Sequence, residues 1–336
     1  MINIGVIGYG HWGKNHIRVF NQFSNSQVLF CADINKKNFD KIEEVFPNIK
    51  TTQNYNDLLE NKEIDAIVIS TSSSTHYEIA KESLLKNKDV LVEKPLTLTV
   101  QESEELISLA EEKQKILMVG HTFLYNSAIL KMKEYFLNKE LGEIYYLHSI
   151  RTHLGLIRED VNCVYDLATH DISIFSYLLE SQPNAVSAVG GCYLKENRED
   201  IAFITLFYSQ NKIGNIHVSW INANKERQLT VVGSKKRIVF NDLDNLEKIR
   251  IFEKGICLEK TSCGDFGEFQ LLLRDGDIIS PKIEISEPLK KQNQHFLDCI
   301  QNRKKPLTDG KNGLDVIKVL VAIEKSLKQN GAYTKI

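Results

Sequence analysis

Asp166 and His170 stand four residues apart in the run VYDLATHDIS, residues 164–173. The apolar rhythm continues through Leu167, Ile172, Phe175, Leu178 and Leu179 and predicts a buried helix over 166–179. Residues one helical turn apart share a face, so a carboxylate and an imidazole would stand together at its leading end. That pairing suits general acid/base chemistry, the carboxylate orienting the ring and stabilising its charged form. A second reading is open at this point: Asp166 caps the helix by accepting a backbone N–H, and His170 is a half-buried histidine with an ordinary hydrogen bond.

A second set of residues speaks for a nucleotide. Gly8-Tyr9-Gly10-His11-Trp12-Gly13 fits G-x-G-x-x-G, follows the strand-like run Ile2–Ile7 and opens a helix-like segment, 11–23. In such a turn Gly8 makes the bend, Gly10 lets the backbone approach a pyrophosphate, and Gly13 allows close helix–strand packing. His11 and Trp12 lie in the first turn of the helix, whose N–H groups and dipole favour an anion. Asp33 ends the second strand twenty positions after Gly13. It is placed to accept from a ribose 2′-OH and to repel a 2′-phosphate, which selects NAD over NADP. Ser70, Thr71 and Ser72 open a hydroxyl-rich loop that ends at His76 and follows the strand-like run Ala66–Ile69. That loop can bind a cofactor, or it can be an ordinary helix start capped by Ser74 or Thr75.

These residues need a frame, and the apolar patterning supplies one. Strand-like runs at 2–7, 27–32, 66–69, 90–92 and 116–119 alternate with helix-like segments at 11–23, 37–46, 75–86 and 100–113. The strands are apolar throughout, as in a doubly wound parallel sheet covered on both faces. After about residue 122 the pattern changes. A helix at 128–137 and the 166–179 helix precede strand candidates in series at 185–194, 201–208, 212–220, 228–233 and 237–241. Strands joined by short turns predict an open, mainly antiparallel sheet. Residues 243–288 give no clear assignment, and helices at 292–301 and 314–330 close the chain. The expected class is α/β, an N-terminal Rossmann domain over 1–122 followed by an α+β domain over 123–336.

Composition narrows the partners. The 336 residues are 42% hydrophobic and 26% charged with a net charge of −2, which offers nucleic acid or an anionic membrane no electrostatic hold. The six cysteines form no C-x-x-C pair and no metal-ligand spacing, so a reduced, metal-free protein is expected. The opening MINIGVIGYG has neither a basic n-region nor a signal h-region, and no apolar run would span a bilayer, so the expected location is the cytoplasm.

G-x-G-x-x-G, then Glu93-Lys94-Pro95 after the 90–92 strand, then D-x-x-x-H at Asp166 and His170 together resemble the Gfo/Idh/MocA oxidoreductases over the whole chain. The resemblance implies that Lys94, Asp166 and His170 line the active site beside the nicotinamide. His170 would be the general acid/base, kept neutral partly by its place in the first helical turn. Lys94 would oppose the developing alkoxide charge, or alternatively act as the base itself. Glu93, Lys94 and His121 join His76 and the glycine-turn residues in the cofactor set. Where the family pattern often has proline in D-L-A-P-H-D, this chain has Thr169, which softens the helix start.

The stretch Gly120-His121-Thr122-Phe123-Leu124-Tyr125-Asn126 is similar to the crossover of sugar-nucleotide members. Asp160-Val161-Asn162, residues 276–289 and Pro306-Leu307-Thr308-Asp309-Gly310 are similar to theirs too. The implied reaction is NAD-dependent oxidation of the 3-hydroxyl of a UDP-N-acetylhexosamine, UDP-N-acetylglucosamine foremost, with an aminotransferase taking the keto product. The uronate form of that sugar, a free polyol such as inositol, and a non-catalytic NAD-binding regulator are the alternatives. Asn126, Arg151, Arg158 and Asn162 join Lys94 and His170 as candidate substrate contacts. An Arg158 facing the sugar C6 would favour the uronate. An open sheet face suggests burial against a second subunit, and the resemblance implies a homodimer or homotetramer.

Overall fold

The computed structural model describes residues 1–258 and 271–336, which divide into two compact units. The first unit comprises 1–126, 158–173 and 286–321, and the second 127–157, 174–285 and 322–336.

In the first unit β1 (Ile2–Ile7), β2 (Ser26–Ala32), β3 (Lys50–Thr52), β4 (Ala66–Ile69), β5 (Asp89–Val92) and β6 (Leu117–Val119) form one sheet ordered β3-β2-β1-β4-β5-β6. Every pairing in it is parallel. The connections carry α1 (His11–Phe20), α2 (Lys37–Val45), α3 (Asn56–Glu60), α4 (His76–Leu85) and α5 (Val100–Glu112). All four residues of β4 are buried although successive side chains point to opposite faces, so this sheet is covered on both sides. Helix α5 is pinned at its start by a capping box, Thr99 Oγ1 accepting from Glu102 N and Glu102 Oε2 from Thr99 N. The strand order reverses between β1 and β4, and a crevice opens at the carboxyl ends of strands at such a switch point. The short β3 and α3 were not expected; three and five residues carry too little periodicity to read.

The second unit contains α6 (Ser127–Leu137) and a nine-stranded sheet. Its strands are β7 (Ile144–Leu154), β8 (Ala185–Gly191), β9 (Ile201–Phe207), β10 (Ile213–Ser219), β11 (Ile221–Gly233), β12 (Arg237–Asn241), β13 (Ile249–Phe252), β16 (Ile278–Ile279) and β17 (Thr334–Lys335). Between β13 and β16 the chain also forms an antiparallel pair, β14 (Gly255–Leu258) with β15 (Leu271–Arg274). The order is β16-β13-β12-β11-β7-β10-β9-β8-β17, antiparallel except where β10 runs parallel to β7. The central β7 is a correction to the sequence reading, which placed no strand there. Its buried positions include Ser149, Arg151 and Thr152, so the apolar alternation that marks a strand is broken. One face of this sheet is packed: Ala202, Ile204 and Leu206 of β9 are buried. The opposite face presents Val189, Phe203 and His217 in register on three adjacent strands, Phe203 at 47% and Val189 at 51% exposure.

Helix α7 (Thr169–Leu179) is preceded by a π-helical turn, Val164–Ala168. Near the end of the chain α8 (Pro288–Asn302) and α9 (Gly310–Lys328) follow, and α8 packs within the first unit through Phe296 against Phe20 and an Arg18–Glu287 ion pair. The segment between α8 and α9 completes the first sheet. Val119 N donates to Thr308 O at 2.7 Å, Thr308 Oγ1 donates to Val119 O at 2.7 Å, and Asp309 bridges Met118, so β6 has no open edge there. Cys31, Cys163, Cys192 and Cys299 are free thiols, and Cys263 lies outside the described residues. Among the described residues no helix is long and apolar enough to cross a membrane.

Candidate active site

The glycine turn admits only glycine at Gly8 and Gly13. Gly8 has φ +95°, and a Cβ there would stand 2.7 Å from Ser70 O. A Cβ on Gly13 would stand 1.8 Å from Gly8 O, which is how closely α1 lies on the turn. At Gly10 the nearest atom to such a Cβ is Ser70 O at 4.0 Å, leaving the backbone open to an approaching group. Gly10 is also the N-cap of α1, and its missing side chain leaves the first N–H groups of the helix to a ligand. His11 and Trp12 occupy that first turn, their rings edge to face with centroids 5.3 Å apart.

A cavity of about 450 Å³ opens beside the turn, lined among others by Gly8, Gly10, Asp33, Ser70, Thr71 and Ser72. Asp33 accepts from Tyr9 N at 2.7 Å and from Asn35 N at 2.8 Å, so one carboxylate ties the glycine turn to the end of β2. Ser70 Oγ donates to Gly8 O at 3.0 Å and braces the same turn. Of the two residues expected at the helix start, Thr75 holds the N-cap position of α4, though its side chain makes no capping bond, and Ser74 lies in the turn before it. A short 3₁₀ turn covers Ser73–Thr75 with Ser72 at its N-cap, and Thr75 Oγ1 donates to Ser72 O at 2.9 Å and to Thr71 Oγ1 at 2.8 Å. His76 is buried behind this loop, Nδ1 2.7 Å from Pro95 O and Nε2 3.2 Å from Thr71 O, with burial keeping the ring below its usual pKa. It joins the serine loop to the Lys94–Pro95 turn. The glycine cradle, the carboxylate at the end of β2 and the free helix start together fit a dinucleotide.

Lys94 follows β5 and is 6% exposed, its Nζ donating to Asp166 Oδ1 at 2.8 Å and to Asp166 O at 2.6 Å. Arg158 approaches the same carboxylate oxygen, Nη1 at 3.5 Å. Asp166 therefore engages both Lys94 and Arg158. It is not a helix cap. It lies inside the π turn, and Asn162 does the capping: its Oδ1 accepts from Tyr165 N at 3.1 Å and its carbonyl from Asp166 N at 3.1 Å. Thr169 supports the widened turn by donating its hydroxyl to Tyr165 O at 2.6 Å. His170 is the second residue of α7, and because α7 continues directly from the π turn it does not sit at a free helix N-terminus. The dipole argument for its neutrality therefore falls away. Its ring lies 4.9 Å from that of Phe123, tilted by 57°.

Beneath Lys94, Glu93 is buried and accepts from His16 Nε2 at 2.8 Å and from Lys94 N at 3.3 Å. Burial pushes its carboxyl up, but the His16 hydrogen bond and the charge of Lys94 outweigh this and hold it below the ordinary range. A Cβ on Gly120 would meet Glu93 Oε2 at 3.1 Å, so Glu93 is a buttress between β5 and β6. Sequence reasoning missed His16, which nothing distinguishes from a surface residue of an amphipathic helix. Asn126 is buried and its N–H donates to Phe123 O. Arg151 belongs to the second unit, in β7 between Val218 of β10 and Arg227 of β11.

His121 is fully enclosed, and among the described residues neither ring nitrogen meets a hydrogen-bond partner. Burial lowers its pKa from 6.5 to about 4; Glu93 opposes the shift and Lys94 adds to it. Because the folded value is depressed, stability is full above the unfolded value and falls as pH drops from 6.5 toward 4. We expect this group to remove roughly 3 kcal/mol across that window. Thermal unfolding of the wild type and of His121→Gln as a function of pH checks it: the variant loses that part of the acid sensitivity.

Comparison with known proteins agrees with this architecture. The family model described as the oxidoreductase family NAD-binding Rossmann fold matches residues 2–121, and the one described as its C-terminal alpha/beta domain matches 161–336. The chain is 26% identical over 332 residues to UDP-N-acetylglucosamine 3-dehydrogenase of Acidithiobacillus ferrooxidans, covering 97% of this chain and 98% of that one. A solved structure of that enzyme superposes with a TM-score of 0.82, 23% identity and 98% coverage of each chain. The chain is also 23% identical over 265 residues to myo-inositol 2-dehydrogenase of Thermotoga maritima, covering 76% of this chain and 79% of that one. The chain belongs to the Gfo/Idh/MocA oxidoreductase family and is a dehydrogenase of CH–OH groups that uses NAD.

Proposed function

We propose that the protein oxidises the 3-hydroxyl of a UDP-N-acetylhexosamine, UDP-N-acetylglucosamine first, to the 3-keto sugar. The match along nearly the whole length of a UDP-N-acetylglucosamine 3-dehydrogenase supports the substrate class. The observation that carries the choice of a neutral sugar is the charge balance at the site. Lys94 and Arg158 already face Asp160 and Asp166, so a C6 carboxylate would meet no surplus cation there. A free polyol is the second reading, favoured by the match to myo-inositol 2-dehydrogenase.

NAD held by the glycine turn, Asp33 and the serine loop supplies the hydride acceptor. Lys94 sets a fixed positive charge against the alcohol oxygen as it loses its proton, the stabilisation a developing alkoxide needs. His170 takes that proton as general base, with Phe123 against its ring. His121, neutral and enclosed, offers one donor and one acceptor to whatever polar group completes the site. The keto product suits an aminotransferase, which converts a ketone to an amine. The exposed Val189 and Phe203, with half-buried His217 beside them, suit burial against a second copy of the sheet, in a dimer or tetramer working in the cytoplasm.

NADH formation with UDP-N-acetylglucosamine, its uronic acid and myo-inositol tests the reading, with an aminotransferase and glutamate trapping the ketone. We expect signal with the neutral nucleotide sugar; signal confined to the uronate or to inositol would overturn it. Lys94→Ala and His170→Asn should each lower kcat by roughly 100- to 10,000-fold while NAD affinity, read by fluorescence titration, stays within about twofold. Asp33→Ala should weaken NAD binding by about tenfold or more and narrow the preference over NADP, since a carboxylate hydrogen bond is lost.

A further inference from the structure

Arg158 commits its whole guanidinium to the protein. Nε and Nη2 fork onto Asp160 at 2.9 and 2.6 Å, Nη2 also reaches Ser73 Oγ at 3.1 Å, and Nη1 faces Asp166 Oδ1 at 3.5 Å. Two oxygens in this cluster are each used twice. Asp160 Oδ2 accepts from both Arg158 and the backbone N–H of Ser73, the latter at 3.0 Å. Asp166 Oδ1 takes both Arg158 and Lys94. The contacts therefore run without a break from Ser73 through Asp160, Arg158 and Asp166 to Lys94. Ser73 directly follows Ser70, Thr71 and Ser72, which line the cofactor cavity.

On Asp166 Oδ1 the flexible lysine is joined by a planar guanidinium that is itself clamped at two further points, which narrows the orientations open to the carboxylate. That demands the fork of an arginine, because a lysine is a point charge on a flexible stem. Burial of Asp160 opposes its ionisation, yet the fork and the Ser73 N–H together bring its carboxyl down to about 2, so the clamp stays charged at any working pH. We propose that Arg158, clamped by Asp160, is a positioning residue for Lys94, fixing the ammonium against the alcohol oxygen from the serine loop of the cofactor cavity. The inference rests on the reading that Lys94 meets that oxygen.

Arg158→Gln, Arg158→Lys and Asp160→Asn in the full chain test it, using whichever of the three alcohols above the wild type oxidises. We expect Arg158→Gln to lower kcat by roughly 10- to 100-fold, as misplacement of a reacting group does, with NADH affinity within about twofold. Arg158→Lys should not restore the rate, and Asp160→Asn should lower it by a smaller factor. A substrate-free readout runs alongside: the ε-¹³C signal of Lys94 in lysine-labelled protein, assigned by its loss in Lys94→Arg, should move in both Arg158→Gln and Asp160→Asn. An unmoved Lys94 signal overturns the inference. So does a kcat within about twofold of wild type in Arg158→Gln, full recovery by Arg158→Lys, or parallel loss of NADH affinity and melting temperature. If the wild type oxidises none of the three alcohols, the functional reading fails while the Lys94 signal still decides the positioning.

Discussion

A lysine ammonium that is 6% exposed must be paired, and the first unit is arranged around that need. An unpaired charge so enclosed would lose its proton or unfold the site, because the desolvation cost of an ion runs to several kcal/mol. Asp166 meets Lys94 twice, by carboxylate and by backbone carbonyl. Both acceptors belong to one residue of the π turn. Widened turns of this kind recur where a helix must offer its backbone to chemistry.

The buttresses on the other side of Lys94 serve the same end. Glu93 stays ionised in a buried setting because His16 and Lys94 hold it, and Gly120 leaves the room it needs. His76 then ties the Lys94–Pro95 turn back to the loop after β4. The cofactor cavity and the lysine are thus two ends of one hydrogen-bonded layer laid across the carboxyl edge of the parallel sheet, where such folds bind their ligands.

How much of this was legible in the sequence depended on whether the signal was local. Strands β1 and β4 and the glycine turn are local, written in continuous apolar runs and in glycines at fixed spacing, and they appear where the sequence put them. The fold class and the cofactor were readable for that reason. Strand β7 was not, because it places Ser149 and Arg151 inward, and a strand read by alternation disappears when polar residues face the core. Within 243–288, the described strands β13 and β16 run four and two residues, too short to show a period. At the site, Lys94, Asp166 and His170 were named through the family resemblance, but the double contact of Lys94 with the carboxylate and the carbonyl of Asp166 carries no signal in spacing. The commitments of Arg158 to Asp160, Ser73 and Asp166 depend on tertiary placement, which no spacing encodes.

The strip of chain that seals β6 has a consequence for how the protein comes to be folded. Thr308 meets Val119 across 189 positions of sequence, and the first unit is not complete until the residues through 321 join it. On a ribosome the parallel sheet therefore emerges early with an unsealed border and waits until residues 286–321 have been made. Closing so long a loop is slow, and an exposed strand edge invites pairing with a neighbouring chain while it waits. Such a topology makes the nucleotide-binding half a poor candidate for independent expression and places the last stage of its assembly after synthesis of all but the final strand of the other sheet.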